Sequence, residues 1–187
     1  MVADDEVLRG TQPQFIMKFA VIAICICCFS SELSAQVEER MRVLFFQCET
    51  NEGVQTYYQE ASQLSNSVAL YRGYKGSATT MLAGTKDGVQ EKFSVFNQGK
   101  DELEAAIALE PSNHELRFLR YAVQSEVPMI VGYKGQLKED LEYLIKGFES
   151  GAISSHYWYW QNALAFIQKS DDKSSEQWQR LSKFVSQ

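Results

Sequence analysis

An apolar helical run that meets a proline and is followed at once by a capped, amphipathic run constrains this chain more than any other feature. The segment reads Leu103-Glu104-Ala105-Ala106-Ile107-Ala108-Leu109-Glu110-Pro111-Ser112-Asn113-His114-Glu115-Leu116-Arg117-Phe118-Leu119-Arg120. Proline disfavours the α conformation in the residue before it, so Glu110 is pushed extended and the first helix ends there. Ser112 stands at an N-cap position and Glu115, three residues on, completes a capping box, so the second helix begins at Asn113. Its apolar positions Leu116, Leu119 and Val123, with Phe118 and Ala122 beside them, recur at helical spacing and predict one buried stripe that ends before Pro128. Two helices joined by so short a turn pack side by side as a hairpin.

The same alternation of helical runs and brief breakers continues along the chain. Helices are expected over 38–48, 54–64, 68–83, 90–109 with an interruption at Gly99, 113–125, 135–148, from 154 or 155 to 169, and 175–185. Asn51-Glu52-Gly53, Ser65-Asn66-Ser67, Gly84 to Gly88 and Asp171 to Ser174 separate them. No segment alternates with period two, so the fold class is all-α. The later helices start about 20 residues apart, which makes a two-helix unit of about 40 residues and suggests hairpins stacked as an α-solenoid or a closely related bundle.

Lys18 precedes the apolar run Phe19 to Phe29, and Ser30, Ser31, Ser34 and Ala35 follow. That is the pattern of a secretory signal peptide, too short for a stable membrane anchor, with cleavage expected after Ala35. Asp4, Asp5 and Glu6 make a poor positive lead-in, so Met17 is the better start. The chain thus divides into a leader, 1–35, and one helical domain, 36–187, exported to the periplasm or the medium. Cys25, Cys27 and Cys28 leave with the leader, and Cys48 alone of the four cysteines remains, behind the apolar Val43 to Phe46. One thiol cannot staple a fold, and its apolar setting predicts burial.

The net charge of −6 argues against nucleic acid, which requires a clustered basic surface. Gly-Tyr-Lys-Gly occurs at 73–76 and again at 132–135, without the Lys-Ser or Lys-Thr of a phosphate loop. Glycines at i and i+3 in the first copy would admit a close helix; the second copy reads as a turn. His114 and His156 are the only histidines, with no cysteine partners or His-Glu-x-x-His spacing, so no metal and no cofactor is expected.

Ala105 to Asn113 resembles the end of the second helix of a tetratricopeptide repeat, where a small residue, an apolar pair and a terminal proline allow tight hairpin packing. Glu115, Phe118, Leu119 and Ala122 stand where that family has its Trp-Leu-Gly-Tyr pattern, and the unit here is longer than the family's roughly 34 residues, so the resemblance is to a tetratricopeptide-like repeat. With the leader, Tyr74-Lys75-Gly76, Phe96, Gly99 and Asn113 to Arg120 are also similar to an uncharacterised family of exported bacterial proteins. The resemblance implies a scaffold whose concave face binds a protein or peptide, and no particular activity.

Two sets of residues are candidates for binding. Arg117, Arg120 and Gln124 share one polar edge of their helix and are able to grip a carboxylate, since guanidinium forks bind carboxylates bidentately. The alternative is a structural pairing with Glu139, Asp140 or Glu142 of the next helix. The cluster His156-Tyr157-Trp158-Tyr159-Trp160 places Trp160 on an apolar face with Ala163, Leu164 and Ile167, which reads as core, and turns Trp158 elsewhere. Trp158 then either stacks on a peptide or sugar ring or covers the end of the helical array. The second function class is accordingly an exported enzyme or glycan-binding module using His156, Trp158 and Tyr159. No catalytic constellation is visible, because His114 and Glu115 diverge by about 100° on a helix.

Overall fold

A computed structural model of the chain describes residues 32–185. The leader expected over 1–35 lies, apart from its last four residues, outside them. The described residues belong to two units, one ending at Arg40 and the other starting at Met41. In the first, residues 32–40 are helical and the Ser34 hydroxyl donates to Glu38 Oε1 at 3.3 Å. The second unit holds the core.

The all-α expectation holds: the described residues contain helices and one 3-10 turn but no strand. After α1, helical over 32–46, come α2 (Asn51–Ser62), α3 (Ala69–Gly84), α4 (Val89–Leu109), α5 (His114–Glu126), the 3-10 turn Met129–Val131, α6 (Leu137–Glu149), α7 (Trp158–Lys169) and α8 (Ser175–Val185). The packed pairs include α2 with α3, α3 with α4 and α5, α5 with α6, and α8 with both α6 and α7, an arrangement consistent with a helical bundle or solenoid.

Local chemistry sets the ends of these helices. Glu110 takes φ −131° and ψ 72°, the extended geometry that Pro111 demands. The cap after it is not Ser112, however. Asn113 is the N-cap, its Oδ1 accepting from the Glu115 amide at 3.0 Å and the Leu116 amide at 3.2 Å, so α5 starts one residue later than the capping box predicts. The Glu115 side chain does not turn back to close a box, because it is buried and engaged by Arg42. A reciprocal capping box does form at α8: Ser174 Oγ accepts from the Gln177 amide at 3.2 Å and Gln177 Oε1 from the Ser174 amide at 3.0 Å. Asn51-Glu52-Gly53, expected as a break, instead opens α2, because Thr50 Oγ1 accepts from the Gly53 amide at 3.1 Å and caps it. At the other end of α6, Gly151 adopts φ 76°, where an L side chain is strained, and stops the helix as expected.

Two further expectations are corrected. Gly99 does not interrupt α4, which runs unbroken for 21 residues. It marks instead the place where α3 and α4 touch backbone to backbone: a Cβ on Gly99 would lie 2.5 Å from Thr80 N, and one on Gly76 would lie 2.6 Å from Leu103 N. Nor is α5 buried along one stripe. Leu116, Phe118, Leu119, Tyr121, Ala122 and Val123 are all buried, and so are Glu115, Arg120 and Gln124 on the faces between them. It is the central helix of the unit. Each fully buried apolar side chain contributes roughly 1.5–3 kcal/mol, so this helix anchors the core.

Candidate functional site

The polar edge of α5 is turned inward rather than offered to a ligand. Asp140 of α6 is fully buried and receives both arginines: Arg120 Nε donates to Oδ2 at 2.7 Å and Nη2 to Oδ1 at 2.8 Å, while Arg117 Nη1 donates to Oδ1 at 2.9 Å. Arg117 continues to Glu139 Oε1 at 3.0 Å and to the Pro111 carbonyl at 3.0 Å, and its guanidinium lies over the Tyr143 ring. Arg120 Nη1 reaches Glu104 Oε2 on α4 at 2.8 Å, and Tyr133 donates to the other oxygen of Glu104 at 2.6 Å. Burial works against charge on Arg120, but the hydrogen bonds and charges of Asp140 and Glu104 outweigh it and raise its pKa. Gln124 is fully buried and donates to Gln136 Oε1 at 3.0 Å. The pairing with the following helix is thus the arrangement present.

A second polar cluster sits at the start of α5. Arg42 Nε donates to Glu115 Oε1 at 3.0 Å and Nη2 to Oε2 at 2.7 Å, and Nη1 reaches the Tyr157 hydroxyl at 3.3 Å. The Tyr74 hydroxyl donates to the same carboxylate. Tyr57 and Ser77 share a hydrogen bond of 2.8 Å nearby. Burial pushes the Tyr74 and Tyr159 phenols well above their ordinary values, with the Glu115 charge adding to it. These phenols are poor proton donors to a reacting group. Arg42, Glu115 and Tyr74 form a buried network that ties α1, α3 and α5 together, while the Tyr159 hydroxyl is buried with no hydrogen-bond partner among the described residues.

The aromatic cluster 156–160 does not converge on a cavity. His156 is exposed, and Trp158 is half-buried against Phe46, with ring centroids 6.3 Å apart. The core aromatic is Tyr159, only 1% exposed, rather than Trp160, which is partly buried between Phe118 and Phe148. Helix α7 begins at Trp158 with Tyr157 as its N-cap, two to three residues later than a cap at Ser154 or Ser155 predicts, and Tyr159 shares its buried face with Ala163 and Ile167 at i, i+4 spacing.

A concave feature of the second unit lies elsewhere. A groove of about 850 Å³ runs between the end of α1, the C-terminal ends of α3, α5 and α7, the start of α4 and the 3-10 turn. Its floor is apolar and mostly buried: Phe45, Val54, Ala83, Phe96, Ala122 and Val123. Its walls are apolar and open to solvent, with Val89 69%, Phe93 42% and Ile130 88% exposed. Such a size and lining are those of a binding cleft. Four exposed charged residues line it as well, Lys92 and Lys169 against Glu49 and Glu126, and among the described residues none of the four is in an ion pair. Cys48 also lines it, half-buried, its Sγ donating to the Leu44 carbonyl at 3.2 Å. Burial pushes this thiol up to about 12, which leaves it protonated and unreactive at neutral pH.

Sequence reasoning missed this groove. Phe93, Phe96, Val89 and Ile130 come from segments read only as helix or loop, and the one signal was the run Val127-Pro128-Met129-Ile130-Val131, too apolar for an ordinary exposed loop. Arg117, Arg120, Gln124 and Trp158 do not line it. Among the described residues no group of histidine, cysteine and carboxylate side chains is placed to hold a metal, and no helix is long and apolar enough to cross a membrane. Compared with known families, curated proteins and solved structures, the chain matches none of them.

Proposed function

We propose that this chain is an exported helical scaffold that binds a protein or peptide partner, and that the apolar groove between α1, α3, α4, α5 and α7 is where it does so. One observation supports the reading above others: Val89, Phe93 and Ile130 stand exposed around a buried apolar floor, an arrangement that costs free energy in water and that a bound partner would relieve. A helix or extended segment with a few apolar anchors fits such a groove. Export is supported by the pattern from Lys18 to Ala35.

The test is photocrosslinking from a benzoylphenylalanine placed at Phe93, in the protein expressed from its full sequence. Adducts are expected there and not from His156, which is exposed but outside the groove. The reading fails if Phe93 gives no protein adduct. Recovery of a shortened protein beginning near Gln36 from the exported fraction checks the leader separately.

A further inference from the structure

Resting on the groove as a protein-binding site, we propose that its occupant is the 3-10 turn of a second copy of this chain, so that two copies interlock reciprocally. Met129 and Ile130 are 81% and 88% exposed, the most exposed large apolar side chains among the described residues. They sit in one short turn held by Pro128 before it and by Gly132, at φ 70°, after it. The Val131 amide donates to the Pro128 carbonyl and the Gly132 amide to the Met129 carbonyl, both at 3.0 Å, so the protrusion is preformed.

That protrusion forms part of the rim of the groove itself, since Pro128, Ile130 and Val131 line it. A knob and a hole on the same face are the condition for a two-fold interface, in which each copy gives to its partner what it receives. The charges at the groove fit the same arrangement. Lys92 and Lys169 face outward with Glu49 and Glu126, two of each sign, unpaired within the described chain. A surface bearing both signs allows a two-fold arrangement that sets lysines of one copy opposite glutamates of the other; a strongly acidic or basic partner would leave half of it opposed to like charge.

Sedimentation equilibrium on the protein expressed from its full sequence reads the outcome. The wild type is expected to show a concentration-dependent mass reaching twice that of the chain, and Ile130→Asp to weaken association by at least about tenfold. Ile130 is almost fully exposed, so this variant leaves the fold intact, which circular dichroism verifies.

A pair of charge variants makes the test independent of which lysine meets which glutamate. Lys92→Glu with Lys169→Glu gives four negative residues at the groove, and Glu49→Lys with Glu126→Lys gives four positive. Each is expected to be monomeric alone and the two to associate when mixed. A wild type monomeric at all concentrations, or charge variants that fail to recover on mixing, overturns the inference. In that event adducts from position 93 to a different protein would leave the groove a binding site, whereas no adduct of any kind would remove both.

Discussion

Arg42 and Glu115, 73 residues apart in the chain, meet as a bidentate ion pair inside the protein, with Nη2 2.7 Å from Oε2 and the Tyr74 hydroxyl on the same carboxylate. Their side chains are only 16% and 8% exposed. Removing Glu115 takes from Arg42 the carboxylate that offsets the cost of burying its charge, so Glu115→Ala is expected to destabilise the fold by about 3 kcal/mol. Arg42→Met with Glu115→Leu should cost clearly less than the sum of Arg42→Met alone and Glu115→Leu alone, because the double variant removes both charges of the pair together. Urea denaturation of the four proteins measures the coupling.

The cap of α5 separates two neighbouring residues. Asn113→Ala should cost about 1 kcal/mol, since it leaves two amides of the first turn without an acceptor. Ser112→Ala should be nearly silent, as only the Ser112 carbonyl is used, by the Tyr143 hydroxyl at 3.0 Å. Equal effects in thermal unfolding would return the cap to Ser112.

Where α3 crosses α4 there is no room for a methyl group. Gly76→Ala and Gly99→Ala are each expected to cost about 1–3 kcal/mol or more, because the atoms in the way are backbone and cannot swing aside. Gly84→Ala is the control: nothing lies within 4 Å of its Cβ position, and the change should be neutral or slightly stabilising. Differential melting of the three variants decides the point.

Cys48 should alkylate on the order of a hundredfold more slowly than a free thiol at pH 8, given a pKa near 12. Adding urea should restore the rate to that of an ordinary cysteine. Rapid modification of the native protein would show that the thiol lies open in the groove.

Partial burial holds the His114 imidazole below its ordinary value of 6.5, stacked on Tyr143 at 4.9 Å. A histidine whose folded pKa is lowered binds a proton more readily in the unfolded chain, so its contribution is fully present above pH 6.5 and is lost as pH falls through the interval down to the folded value. The wild type should therefore lose stability relative to His114→Gln between pH 7.5 and pH 5. A difference between the two that stays constant over that range would contradict it.

Much of the helical order was legible because it rests on near neighbours. Pro111 forces Glu110 extended in any context, the stop at Gly151 needs only a glycine, and α8 falls where its serine and spacing put it. Gly99 misled because a glycine within a helix looks the same whether it weakens the helix or admits another one. The α5 arginines were ambiguous for a related reason: a polar edge on a helical wheel does not say whether a carboxylate from another helix lies against it.

By itself the sequence determined that the chain is helical, where most of its helices run, and that α5 carries a strong apolar pattern, all consequences of backbone sterics and periodicity within a few residues. Only the tertiary structure decided that Asp140 closes on Arg117 and Arg120, that α5 is buried on nearly every side, and that Phe45, Phe93, Val123 and Ile130 line one groove. Those outcomes depend on which helix faces meet, a matter of packing among segments up to 85 residues apart between Phe45 and Ile130, and no local pattern encodes it.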